Sequence, residues 1–208
     1  MFALYPLPVA IAPTSAADFK APLQLLGGFM LTLWSLELVD SLLLHGRLNR
    51  LGIRPRRLIG LRGIFFAPLL HGNLGHLAAN TIPLVVLGWL IMLNGLNPFL
   101  AVTAIAWVIS GIGTWLLGGR NTNHIGASGL VFGYFGYLLF RGYFEQSFSA
   151  IAIAILVGLL YGSMIWGVLP IHQGKSWQSH LFGFIGGGIA ARYLPELQNA
   201  LTGFILSS

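Results

Sequence analysis

About 20 consecutive apolar residues are needed for an α-helix to cross the hydrocarbon of a bilayer. This chain of 208 residues offers six stretches near that length, at roughly 22–45, 72–93, 97–118, 127–142, 149–169 and 178–195. Backbone polar groups in lipid must find partners within the protein, which long continuous apolar runs provide for themselves as helices. The expected fold is therefore an all-α polytopic membrane protein, a bundle of six transmembrane helices. With 56% hydrophobic and 8% charged residues, the chain lies far from soluble domains, which carry about 25% charge. The stretch 127–142 is short for a full span. That length fits a helix starting below the membrane surface, where it faces water rather than lipid.

Domain organisation follows from these runs: an N-terminal arm at 1–21, a membrane domain at 22–195 and a short C-terminal tail at 196–208. The arm has no basic residue before Lys20 and is interrupted by Pro6, Pro8 and Pro13, which argues against a cleavable signal and leaves the first span as the insertion signal. No cysteine is present, so covalent chemistry would fall to serine, threonine, lysine, histidine or a carboxylate. The net charge of +6 is concentrated in Arg47, Arg50, Arg54, Arg56, Arg57 and Arg62. A basic cluster wedged between membrane helices suits lipid headgroups and is a poor fit to nucleic acid. It lies in the one long connection, 46–70, where alternating basic and apolar residues suggest a structure in the membrane interface. Glu37 and Asp40 precede it and are expected to pair with its arginines or to cap its amides.

Two polar residues interrupt the apolar pattern at the heads of helices. Ser128 lies in Gly126-Ala127-Ser128-Gly129, followed by glycines at 133 and 136; His180 opens a run with Gly183, Gly187 and Ala191 at helical spacing. Small-residue faces let helix backbones approach closely, and an ionisable group inside a membrane points to function. Together they offer a candidate nucleophile and base, which the glycine faces could bring to one depth. Packing alone would also explain each glycine stripe taken singly. His76 and Asn80, four residues apart, share a helix face, where they would serve a site or bond loop carbonyls. Gly-x-Ser-Gly is not the nucleophile elbow of soluble hydrolases, because Leu130 stands where that motif ends in glycine.

In combination these motifs resemble those of the rhomboid intramembrane serine proteases. The resemblance covers roughly residues 22–195 and rests on Gly-x-Ser-Gly at 126–129, His-x-x-Gly at 180–183 with Gly187, His76-x-x-x-Asn80, and the Gly-x-x-Pro-Arg turn from Gly52 to Arg56. It implies Ser128 as nucleophile and His180 as base, with His76, Asn80 and the Ser128 backbone amide stabilising the oxyanion. Gly126, Gly129, Gly183 and Gly187 would support the site, as would Phe132, which stands where family members often have a tyrosine stacked on the base. The family's Trp-Arg pair of the first loop is absent, Arg62-Gly63 being its nearest counterpart. No acid is placed to orient His180, which makes the pair a dyad. The resemblance further implies cleavage of single-pass membrane proteins within the bilayer, without metal or nucleotide cofactor.

Two other readings compete. A rhomboid-like protein could bind membrane helices without cutting them, although Ser128, His180, His76 and Asn80 are all kept. A small transporter would also carry broken helices and buried histidines, but the matched halves expected of one are missing. The expected location is the inner membrane of a bacterium. For orientation the lines of evidence conflict: a positive-inside count puts the arginine-rich side in the cytoplasm, whereas the resemblance puts the active site toward the other face, and the resemblance is preferred.

Overall fold

A computed structural model describes residues 20–171 and 176–207 of the chain. The expected arm lies almost wholly outside the described residues, as do His172 to Lys175 of the loop before the last helix. Among the described residues seven α-helices follow in order: α1 (Lys20–Val39), α2 (Arg62–Phe66), α3 (Leu74–Met92), α4 (Leu96–Leu117), α5 (Ser128–Glu145), α6 (Phe148–Tyr161) and α7 (Trp177–Ser207). No strand occurs among the described residues; one isolated antiparallel pair joins Ile53 and His124. Helix starts follow local chemistry. Asn73 caps α3 by accepting from the His76 amide at 2.8 Å, and Ser147 caps α6 by accepting from Ala150 at 3.2 Å, each satisfying an amide that the first turn leaves without a partner.

Among the described residues four helical segments are long and apolar enough to cross a membrane: Lys20–Leu44, Leu74–Met92, Leu96–Leu117 and Phe148–Val168. This makes the chain an integral multi-pass membrane protein. The fourth and sixth expected runs correspond to α5 and α7, which fall outside that set. For α5 the reason is its position. Every residue from Gly129 to Leu138 is buried, so the helix is sheathed by α3, α4, α6 and α7 and needs no lipid-facing exterior. The last helix also differs from expectation at its end: α7 continues through Pro195 to Ser207 where the apolar run stops near 195.

The central contact is between α5 and α7, and glycine makes it possible. A Cβ on Gly183 would overlap the carbonyl of Gly129, and one on Gly187 the carbonyl of Gly133; a Cβ on Gly136 would press on the carbonyl of Phe184. The obstacles are backbone atoms, which cannot turn aside as side-chain tips can. Gly187→Val is therefore expected to lower stability by at least the roughly 1–3 kcal/mol of an overpacked core. Thermal melting in detergent should show it; a Gly187→Val protein melting with the wild type would mean that the crossing is looser than the geometry requires.

The connection from α1 to α3 is ordered by hydrogen bonds rather than by long elements. Asp40 starts a π-helical turn, Asp40–Leu44, and its carboxylate accepts from the Leu48 amide at 2.8 Å, which is the capping role expected of it. Glu37, by contrast, is buried and accepts from Ser41 at 2.8 Å. Neither acid forms an ion pair with an arginine among the described residues. Short 3-10 turns at Leu48–Leu51, Leu58–Gly60 and Ala67–Leu69 flank α2. Gly60 and Gly63 let the loop fold on itself, since a Cβ on either would overlap the backbone of Arg54 or Gly52. Arg56 then staples the loop to the end of α4 by donating to the carbonyls of Leu116 and Gly118, both at 2.8 Å. Trp107 and Trp115 donate from α4 to the carbonyls of Ile64 and Arg57.

Candidate active site

The segment Gly126–Ser128 is held from three directions. Gly126 has φ +116°, a conformation that side chains disfavour, and its amide donates to the carbonyl of Ala67 at 2.8 Å. A Cβ there would stand 2.8 Å from the His76 ring, so glycine is required on both counts. The Ala127 amide donates to His71 Nε2 at 3.3 Å. Ser128 then opens α5. Its own amide belongs to the first turn, whose N–H groups have no acceptor within the helix.

His180 sits in the first turn of α7 and is 8% exposed. Its Nδ1 lies 2.9 Å from the carbonyl oxygen of Gly167. A carbonyl can only accept, so Nδ1 carries a proton, and in the neutral ring Nε2 then keeps a lone pair. Nε2 is 2.9 Å from Ser128 Oγ and accepts the serine proton. The Phe132 ring lies one helical turn after Ser128 and stacks on the imidazole at 4.1 Å between centroids and 8° between planes. Gly167 has to be glycine, because a Cβ would come within 2.7 Å of Phe132 and 3.4 Å of His180 Nδ1. The result is a serine hydroxyl paired with an imidazole whose rotation is fixed and whose neutral form turns its lone pair to the hydroxyl, the arrangement that general-base activation requires.

His76 and Asn80 project from the first two turns of α3 onto the same region. The position a Gly126 Cβ would occupy is 2.9 Å from His76 Nε2 and 3.9 Å from Asn80 Nδ2. Asn80 is 7% exposed, and its Nδ2 is buried without a hydrogen-bond partner among the described residues. Leaving a buried donor unsatisfied costs about 1–3 kcal/mol, so such a group in a native site invites an acceptor from outside the chain.

The structure thus gathers Ser128, His180, Phe132 and Gly126 into one constellation with His76 and Asn80 beside it. Gly129, Gly183 and Gly187 lie in the helix crossing that sets the separation. Three further residues of this neighbourhood escaped the sequence reading. His71 is buried, its ring 5.1 Å from that of His76; burial, with the neighbouring imidazole adding to it, pushes its pKa down to about 3. It therefore stays neutral, and remains an acceptor for Ala127, throughout the physiological range. His124 pairs with Ile53 through both backbone groups, each 2.9 Å. Its side chain is fixed by logic of the same kind as at His180. Thr122 Oγ1 donates to the carbonyl of Gly119 at 2.6 Å, so it accepts from His124 Nε2–H at 2.7 Å. Nδ1 is then free to accept from the Ser176 hydroxyl at 2.7 Å. Burial lowers the pKa of His124, which favours this neutral form. Through its backbone and its ring together, His124 ties the first loop, the segment before Ser128 and the start of α7 to one another. The third is Gly167. Spacing alone could reveal none of them, because their partners include backbone groups distant in sequence.

Comparison with known proteins gives a coherent picture. A family model described as Rhomboid domain matches residues 60–196. An uncharacterized protein of Mycobacterium tuberculosis is 45% identical over 192 residues, covering 85% of this chain and 80% of its own length. An uncharacterized protein of Mycobacterium leprae is 46% identical over 178 residues, covering 81% of this chain and 70% of its own length. A Bacillus subtilis protein named "Putative rhomboid protease YdcA" is 32% identical over 127 residues, covering 57% of this chain and 60% of its own.

Proposed function

The chain belongs to the rhomboid family, and from that premise we propose that it is an intramembrane serine endopeptidase cleaving transmembrane segments of other membrane proteins with a Ser128–His180 dyad. The observation that carries the proposal is the 2.9 Å contact between Ser128 Oγ and a His180 Nε2 whose other nitrogen is anchored on Gly167. In the proposed reaction Ser128 Oγ attacks the scissile carbonyl carbon as its proton passes to His180 Nε2. The imidazolium so formed is stabilised by the Gly167 carbonyl, which does in part what a carboxylate does in a triad. Asn80 Nδ2, the His76 ring and the Ser128 amide would donate to the oxyanion. Collapse of the tetrahedral intermediate breaks the C–N bond, and Nε2–H protonates the departing amine. Water then repeats the sequence on the acyl-enzyme, restoring Ser128. The chain's own groups supply every proton transfer, so the proposal needs neither metal nor cofactor.

Further elements of the reading extend the family assignment. We take α1, α3, α4, α5, α6 and α7 as six spans of one membrane domain at 22–195, flanked by the arm at 1–21 and the segment 196–208. The substrates are single-pass membrane proteins whose helix unwinds near its end to present a carbonyl to Ser128, and the host membrane is a bacterial inner membrane. A helix-binding protein without peptidase activity would have no use for an ordered serine–imidazole pair beside an unpartnered amide donor. The test is covalent labelling with a serine-directed fluorophosphonate. The wild type is expected to label at one site in the cytoplasmic-membrane fraction, and the Ser128→Ala protein not at all. An unlabelled wild type that is folded by melting would favour the binding reading.

A further inference from the structure

The six arginines between 47 and 62 take no part in the chemistry above, and their surroundings are unusual for a charged cluster. Arg47, Arg50 and Arg54 are exposed or half-exposed, and their side chains make no hydrogen bond or ion pair among the described residues. The other three donate to neutral acceptors: Arg56 to the carbonyls of Leu116 and Gly118, Arg57 to Asn121 at 2.9 Å, Arg62 to the carbonyl of Arg50 at 3.3 Å. The acids nearest in sequence, Glu37 and Asp40, are buried and engaged with Ser41 and the Leu48 amide. A run of positive charge thus stands without a carboxylate partner among the described residues.

The same loop displays large apolar side chains: Leu58 is 83% exposed and Phe65 63%, with Ile59 and Leu61 also exposed. Guanidinium groups among exposed leucine and phenylalanine match the headgroup and acyl regions of a lipid monolayer, arginine forking onto phosphate oxygens while the apolar groups sink beneath. A nucleic acid would leave those apolar residues in water. The Ile53–His124 pair fixes the loop on the membrane side where Ser128 opens. We infer that the Arg47–Arg62 loop is a binding site for anionic phospholipid headgroups in the leaflet on the Ser128 side. Because the loop also holds Gly126 through Ala67, lipid bound there bears on the depth at which the serine meets its substrate.

The inference stands on the loop and is independent of peptidase activity, so its test uses the full-length Ser128→Ala protein beside the wild type. Each is reconstituted in nanodiscs of equal phosphatidylglycerol and phosphatidylcholine, and the lipids retained on gentle extraction are counted by native mass spectrometry. An arginine near an anionic surface is worth roughly fivefold in affinity. Both proteins should therefore retain phosphatidylglycerol roughly tenfold or more over phosphatidylcholine, and a combined Arg47→Gln, Arg50→Gln, Arg54→Gln protein should fall to about parity. The corresponding triple lysine protein keeps the charge and should keep most of the preference. Equal retention of both lipids by the wild type, or an undiminished preference in a folded glutamine triple, would overturn the site. Displacement of the retained lipid by millimolar inorganic phosphate would also overturn it, by reassigning the arginines to a free anion.

Discussion

Ser128→Ala and His180→Ala are each expected to abolish cleavage of a transmembrane substrate, by roughly 10⁴-fold or more, while the protein continues to fold. The expectation of intact folding is structural. Among the described residues Ser128 Oγ has one hydrogen-bond partner, His180 Nε2, so losing it removes one hydrogen bond, worth about 1 kcal/mol, and leaves the Phe132 stack and the Gly167 anchor in place. His180→Ala also empties the space over Phe132 and should cost more stability, yet it lies outside the glycine crossing that holds α5 to α7. The activity losses should not add. A hydroxyl without its base and a base without its hydroxyl are disabled in the same step, so the double variant should be no slower than the worse single. Single-turnover cleavage in detergent, with melting recorded beside it, measures both quantities. Additive losses would mean that the two residues act in separate steps, and near-normal turnover in Ser128→Ala would remove the serine from the reaction.

That Ser128 and His180 could be found in the sequence follows from the medium. In an apolar run every hydroxyl or imidazole is costly, so two of them framed by glycines stand out, and the glycine spacing announces the helix crossing that the structure contains. The six apolar runs likewise correspond to helices. What stayed hidden depends on three-dimensional closure. Gly167 orients the base with a backbone carbonyl, and no residue type encodes that role. His71 and His124 act on, or through, backbone groups more than fifty residues away. The burial of α5 was hidden for another reason: an apolar run does not show which of its faces meet other helices, and only its enclosure by four neighbours explains glycines on more than one face. Glu37 illustrates the opposite error, since proximity in sequence suggested an arginine or amide partner where the fold supplies Ser41.

Asn80→Ala is expected to lower kcat by 10²–10³-fold with little change in KM, corresponding to about 2.7–4 kcal/mol of transition-state stabilisation. The argument starts from the resting structure, where Asn80 Nδ2 is buried and without a partner. A donor in that condition destabilises the folded protein and is of use only when an acceptor arrives. If the acceptor is the oxyanion, which exists only during acylation and deacylation, its loss falls on the chemical step and not on substrate binding. Removing an unsatisfied amide should also leave melting nearly unchanged or slightly raised, the trade of stability for activity common at functional sites. A purely structural Asn80 would give the reverse result, a lower melting temperature with kcat and KM altered together. Steady-state kinetics on a helical substrate, paired with melting curves of the same preparations, separates the two. A raised KM with kcat untouched would assign Asn80 to substrate recognition and leave the oxyanion to His76 and the Ser128 amide.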